Sequence, residues 1–288
     1  MAVTASELAP SQATEPLSLP PSQDPAQDPA IRATRVDVIN GGKAALIHLL
    51  PSGLIRKNVY PDSPDKRPID HLALEARIYE RLPRNHPRLL EMYGYSRREG
   101  LILEYMPQGD LGAYLRGEEP MTPLPERGAV EISTEQRLQW ACDAAEGLQL
   151  LHEHGVWHCD VRTLNFLLDD ELRLKIIDFE GSSLDGCEPS ALEITRYLLP
   201  RDPLEPSTIA TELFALGSLV YEIMTGREPY KELEDDEVTA LFVEKSFPLV
   251  DKLLCGDVIM KCWLGEMQSA EEVRALIEAK LNDFKVKV

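Results

Sequence analysis

The stretch HCDVRTLNFLLDDELRLKIIDFEG, from His158 to Gly181, carries three side-chain oxygen donors at its edges, Asp160, Asn165 and Asp178, with an apolar filling between them. A divalent cation such as Mg2+ takes hard oxygen ligands and keeps several of its waters, so one Asp and one Asn side chain are a usual protein contribution. Asn165 and Asp178 match that share. The run NFLLDDELRLKIID clusters apolar residues on both sides of an Asp169, Asp170 turn and reads as a β-hairpin. Such a hairpin returns Asn165 and Asp178 to one end, next to Asp160, and the Leu and Ile between them hold that end rigid.

The elements that must position these residues follow from periodicity. STEQRLQWACDAAEGLQLLHEHG reads as a helix running straight into the motif: Leu138, Ala141, Ala145, Leu148 and Leu151 form a helical stripe, and Ser133 with Gln136 has capping-box spacing. IATELFALGSLVYEIMTG is apolar on most sides, as expected of a helix at the centre of a lobe, whereas DDEVTALFVEKSF and AEEVRALIEAKLNDF are amphipathic and more exposed. Upstream, RVDVI, KAALIHLL and LIRKNVY read as successive antiparallel strands, separated by turns at Asn40, Gly41 and Gly42 and at Pro51, Ser52 and Gly53. A helix, PIDHLALEARIYERL, follows, and then two more strands around Arg97 to Gly100. Strand signals become rare after Met106, which predicts two lobes. Residues 1 to 30 are dominated by Pro, Ser, Gln, Asp and Ala and read as a disordered tail. Between Gly117 and Ile132 lies a Pro-rich, acidic loop without periodicity.

With 288 residues, 43% of them hydrophobic, the chain can bury one large core or two lobes. A formal charge of −19 argues against a nucleic-acid backbone or an anionic membrane as main partner. Five cysteines, Cys142, Cys159, Cys187, Cys255 and Cys262, without a C-x-x-C pair, suit a reducing compartment and argue against zinc. The first residues lack a signal-peptide pattern, and no apolar run is long enough to span a membrane. The expectation is a soluble protein of the cytoplasm, with the nucleus left open.

The motif resembles the protein kinase superfamily, whose catalytic loop H-R-D-x-x-x-x-N and D-F-G motif are matched by His158-Cys159-Asp160 with Asn165 and by Asp178-Phe179-Glu180. The likeness extends over nearly the whole chain after the tail. Lys57, in LIRK, stands where the family has the lysine that holds the α- and β-phosphates, and Glu75, in LALEARIYERL, resembles its helix glutamate partner. LILEYMPQGDL is similar to the strand and hinge, with Leu103 as gatekeeper and Glu104 to Met106 offering backbone groups to adenine. ELFALGSLVYEIMTGREPY resembles the central helix, and IMKCW a late one. The resemblance implies a bilobal α+β fold: a small antiparallel β-sheet N-lobe with one main helix (31–106) and a larger, mainly helical C-lobe (107–288).

It further implies ATP and Mg2+ as cofactors and protein Ser/Thr hydroxyls as acceptors. Asp160 would accept the substrate hydroxyl proton, and Asn165 and Asp178 would hold the metal. Arg162 stands where Ser/Thr kinases carry a lysine facing the γ-phosphate, or is a surface cation. Gly41 and Gly42 are what remains of the glycine-rich loop, and a two-glycine hairpin turn accounts for them equally. Several positions depart from the family pattern: Glu180 replaces the D-F-G glycine, Arg201 the A-P-E glutamate, Cys159 the catalytic-loop arginine, and Glu212 the central-helix Asp. The A-P-E glutamate and its arginine partner after the C-W helix are both missing, which avoids a buried unpaired charge. Two alternatives therefore stand beside the kinase: a weak or inactive kinase-like scaffold, and a small-molecule phosphotransferase of the aminoglycoside or choline kinase type. Oligomeric state is not legible.

Overall fold

A computed structural model describes residues 37–41, 45–60, 67–118, 131–202 and 204–287. The expected tail, Gly42 and most of the acidic loop lie outside the described residues.

The first half forms the expected antiparallel sheet. Strands β1 (Asp37–Gly41), β2 (Ala45–Leu49), β3 (Ile55–Val59), β4 (Met92–Ser96) and β5 (Gly100–Leu103) stand in the order β1-β2-β3-β5-β4. Alternation along β3 puts Ile55 and Lys57 on the buried face. Gly100 permits the close pairing of β5 with β3: its φ is +83°, and a Cβ there would lie 2.3 Å from the Lys57 carbonyl. The turn expected at Asn40 to Gly42 begins later, because Asn40 and Gly41 still pair with Ile47 and Leu46. A register shift between Val38 and Asn40 rephases the strand and lets it continue.

Helix α1 (Arg67–Arg81) packs on this sheet through Leu72, Ala76, Ile78 and Tyr79. The chain then passes to a mainly helical region: α2 (Leu111–Leu115), α3 (Thr134–Glu153), α4 (Ile209–Thr225), α5 (Asp235–Val243), α6 (Gly256–Trp263) and α7 (Ala270–Lys287). Helix α4 is buried along most of its length, as its all-round apolar sequence requires, with Trp263 of α6 donating to Ser218 Oγ at 2.9 Å. The stripe read on α3 is fully buried, and Trp140 and Ala144 are buried beside it. Ser133 caps α3 by accepting from the Gln136 N–H at 3.1 Å, but the reciprocal half of the capping box is missing. The Gln136 amide donates instead to the Leu172 carbonyl at 3.1 Å, which Trp140 Nε1 also reaches at 2.7 Å. That carbonyl belongs to the hairpin turn, so α3 anchors the hairpin rather than closing its own cap. The architecture is α+β, an antiparallel sheet with one main helix followed by a mainly helical region, as expected.

Candidate active site

The hairpin read from the sequence is present, with β6 (Phe166–Leu168) paired to β7 (Leu174–Ile176) and Phe166 opposite Ile176. It is fixed from three sides. Buried Asp143 of α3 accepts from Arg173 at 2.6 and 2.8 Å and from the Leu174 N–H at 3.1 Å. The Ile176 N–H donates to the Arg88 carbonyl at 2.9 Å, and the Leu168 N–H to the Gly109 carbonyl at 3.0 Å. At its open end the Ile177 N–H donates to the Asn165 carbonyl at 3.0 Å, so Asp178 follows directly on a residue tied to Asn165.

Asp160 is held by its neighbours. The Asn165 amide donates to the Asp160 carbonyl at 2.7 Å and to Asp160 Oδ2 at 2.9 Å, and Arg162 Nε donates to the same Oδ2 at 3.0 Å. Among the described residues Asp160 Oδ1 accepts no hydrogen bond. His158 Nδ1 accepts from the Asp160 N–H at 3.3 Å, so its proton sits on Nε2 and goes to the Ile177 carbonyl at 2.9 Å. The ring also meets Phe179 edge-on, and Phe179 in turn meets Tyr79 of α1, with centroids 5.7 and 5.1 Å apart. His158 is thus a packing and tethering residue.

Two non-glycine residues here, Cys159 (φ 66°) and Asp178 (φ 70°), occupy the left-handed region. Such conformations persist where surrounding contacts over-determine them. Glu212 of α4 supplies the contact for Cys159, accepting its N–H at 2.7 Å, while the other carboxylate oxygen lies 2.6 Å from His152 Nε2. Burial, with Glu212 adding to it, pushes the Cys159 thiol up to about 12, which makes it inert.

Across from this loop, Lys57 of β3 reaches Glu75 of α1 at 2.8 Å and Asp178 at 2.7 Å, and Glu180 lies 3.2 Å away. Burial alone would lower the Lys57 pKa, but Asp178, Glu75 and Glu180 together hold it well above its ordinary value. Burial pushes Glu75 up to about 7 against the pull of Lys57, and Asp178 and Glu180 add to the rise. The Lys57 ammonium holds Asp178 below the usual carboxylate range, with burial opposing. The donor chemistry fits a hard divalent cation. Asn165 commits its N–H donors to Asp160 and keeps Oδ1, while the Asp178 side chain stays 42% exposed.

The remaining expected residues are placed as follows. Leu103 ends β5, and the Glu104 N–H is taken by the Glu91 carbonyl at 2.9 Å. The Met106 carbonyl accepts from the Gly109 N–H at 3.3 Å. The Glu104 carbonyl and the Met106 N–H have no partner among the described residues. Gly41 ends β1, and Gly42 is outside the described residues.

A layer that the sequence reading missed supports the loop. Glu222, buried in α4, accepts from Thr163 Oγ1 at 3.0 Å and from the Tyr197 hydroxyl. A lone glutamate inside the apolar run LVYEIM was the available signal. Burial pushes the Glu222 carboxyl up, and the two hydroxyl bonds offset that only in part. A carboxyl with a raised folded pKa holds its proton more tightly folded than unfolded. Its stabilising contribution is complete below the unfolded value near 4.5 and is lost as pH rises through the folded value. Glu222→Gln, which keeps an acceptor oxygen and cannot ionise, is therefore expected to lose less stability than the native chain between about pH 5 and about pH 8. Urea midpoints across that range measure this, and parallel pH slopes for the two proteins would contradict it.

Sheet, helix and hairpin thus provide a buried lysine–glutamate pair, a tethered aspartate and an Asn/Asp pair of oxygen donors. Over residues 57–279 the chain matches the protein tyrosine and serine/threonine kinase family, and it belongs to that family. It is 28% identical over 203 residues to the serine/threonine/tyrosine-protein kinase HT1 of Arabidopsis thaliana, covering 67% of this chain and 48% of that one. To the L-type lectin-domain containing receptor kinase IV.1 of the same plant it is 33% identical over 187 residues, 61% of this chain and 26% of the relative. To the serine/threonine-protein kinase RUNKEL, also of Arabidopsis thaliana, it is 33% identical over 178 residues, 58% and 12% of the two chains. The matched region spans at most about half the length of these curated relatives.

Proposed function

We propose that the chain is an ATP- and Mg2+-dependent protein kinase that transfers the γ-phosphate to Ser/Thr hydroxyls of protein substrates. The observation that carries this reading is the state of Asp160: Asn165 and Arg162 hold one carboxylate oxygen, and the other has no hydrogen-bond partner among the described residues. In this reading Asp160 orients the acceptor hydroxyl and takes its proton, Lys57 holds the α- and β-phosphates, and Glu75 fixes Lys57. Arg162, already on Asp160, neutralises charge at the transferring phosphate, the position at which Ser/Thr kinases carry a lysine. The Glu104 carbonyl and the Met106 N–H receive adenine. Asn165 and Asp178 would hold Mg2+, which would supply positive charge against the phosphates.

Residues 31–106 and 107–288 act as the two lobes about the cleft. Among the described residues no helix is long and apolar enough to cross a membrane, and the five cysteines carry no disulfide. Together with the acidic composition these support a cytoplasmic place. The family match leaves no support for the small-molecule alternative.

The test is transfer from radiolabelled ATP to a generic basic protein, followed by phosphoamino-acid analysis. Label on Ser and Thr is expected, label confined to Tyr would overturn the acceptor assignment, and no label would overturn transfer. Asp178→Ala is expected to weaken Mg-ATP binding by about ten- to a hundredfold, the worth of a lost charge-assisted contact, with the thermal midpoint nearly unchanged because the carboxylate is partly exposed. Equal Mg-ATP affinity in that variant would remove Asp178 from the metal site.

A further inference from the structure

A lysine ammonium has three N–H donors, and around Lys57 three carboxylates stand within reach: Asp178 at 2.7 Å, Glu75 at 2.8 Å and Glu180 at 3.2 Å. Two of the donors are hydrogen-bonded, to Asp178 and Glu75, and the ammonium also faces Glu180, so an incoming phosphate oxygen competes with three anions for it. Glu75 is the worst candidate to leave, being 1% exposed and carried on α1. Glu180 makes the longest contact, and it is an ion pair without hydrogen-bond geometry, whereas the other two are hydrogen bonds. Its backbone is nevertheless well held. Phe179 before it is fully buried, and Gly181 after it packs so closely on Ala191 that a Cβ would lie 2.3 Å from the Ala191 Cβ. The Ser182 hydroxyl donates to the His158 carbonyl at 3.1 Å. The Glu180 side chain is 16% exposed and directed at Lys57.

We infer that Glu180 determines which form of the nucleotide enters: it competes with the polyphosphate for Lys57 and excludes metal-free nucleotide, while admitting the divalent-metal complex. This rests on the kinase reading of the site. A bare polyphosphate meets one cation already shared among three anions, and like charges a few Å apart in a partly desolvated cleft repel. A nucleotide arriving with its cation brings the positive charge that lets Asp178 and Glu180 release Lys57. The residue is thus an internal lock on the lysine, and its charge does the locking rather than its bulk.

The test is binding by calorimetry of ATP with excess chelator, of Mg-ATP, and of adenosine, to the native chain, Glu180→Gln and Glu180→Gly. Metal-free ATP is expected to bind both variants at least about tenfold more tightly than the native chain, with Mg-ATP changed by less than about threefold and adenosine unchanged. Equal gains for ATP with and without Mg2+, no gain for either, or a parallel change for adenosine would each overturn the inference while leaving the kinase reading in place. Absence of Mg-ATP binding by the native chain and both variants would overturn the kinase reading, and the inference with it.

Discussion

Asp160→Asn is expected to lower phosphoryl transfer by about two to four orders of magnitude, the range of a lost general base, while Mg-ATP affinity stays within about threefold. The size follows from how the carboxylate is held. One oxygen, Oδ2, accepts from both the Asn165 amide and Arg162 Nε, and both donors are fixed. An asparagine at this position must present its carbonyl oxygen to those donors, because an NH2 group there would face two N–H groups. Its NH2 then occupies the place of Oδ1. The acceptor hydroxyl meets a donor where it needs a proton acceptor, so shape is kept and polarity is reversed. Arg162→Ala leaves the base intact but removes one donor to it and the charge proposed to face the transferring phosphate, and should cost about ten- to a hundredfold. Transfer by Asp160→Asn within about fivefold of the native rate would show that Asp160 is not the base.

What the sequence revealed of this site was local. The spacing of Asn165 and Asp178 around an apolar filling and a tight turn specified a hairpin, because alternation and turn residues act within a few positions. The α3 stripe and the buried α4 were legible for the same reason. Lys57 and Glu75 came from the family pattern and not from local physics, since a lysine in a strand and a glutamate on a helix have no short-range signature of pairing. Three features stayed hidden because they join residues far apart in the chain. Gln136 has capping-box spacing but turns to the Leu172 carbonyl, 36 positions away, once the hairpin is docked. Glu180, legible only as the residue in place of the D-F-G glycine, lies against Lys57 because β3 and the segment after β7 meet only in the folded molecule. Arg201 stands in the sequence as the replacement for the A-P-E glutamate, and its partner, Glu193, shows only in the folded segment.

That partner leads to the second large effect, an activation segment ordered without phosphate. Arg201 Nη2 lies 2.8 Å from Glu193 Oε2, with side-chain exposures of 6% and 1%, so the charge that replaces the family's A-P-E glutamate is neutralised inside its own segment. Removing one member of such a buried pair strands the other charge, and Glu193→Ala is expected to destabilise by about 3–5 kcal/mol. Glu193→Ala combined with Arg201→Leu should recover much of that loss, since no unpaired charge is left. The segment has little use for a phosphate. A phosphate orders a loop chiefly by capturing an arginine, and the catalytic-loop position that would supply one is Cys159, buried and bonded to Glu212. Of the five hydroxyls in the segment, Ser182, Ser183 and Tyr197 are buried and donate to the His158 carbonyl, the Cys187 carbonyl and Glu222, while Thr195 is half-buried and Ser190 exposed. Arg196 is engaged by Asp235 and the Leu233 carbonyl, and Arg201 by Glu193. Phosphatase-treated protein should accordingly transfer phosphate within about twofold of untreated protein, because the contacts that order the segment are already made. Urea denaturation of the single and double variants measures the first expectation, and paired transfer assays measure the second. A single variant that loses less than about 1 kcal/mol would show that the pair is solvated and weak. A large drop on dephosphorylation would show that a phosphate displaces one of these ion pairs, with Ser190 and Thr195, the two hydroxyls of the five that are not buried, as the acceptors to replace first.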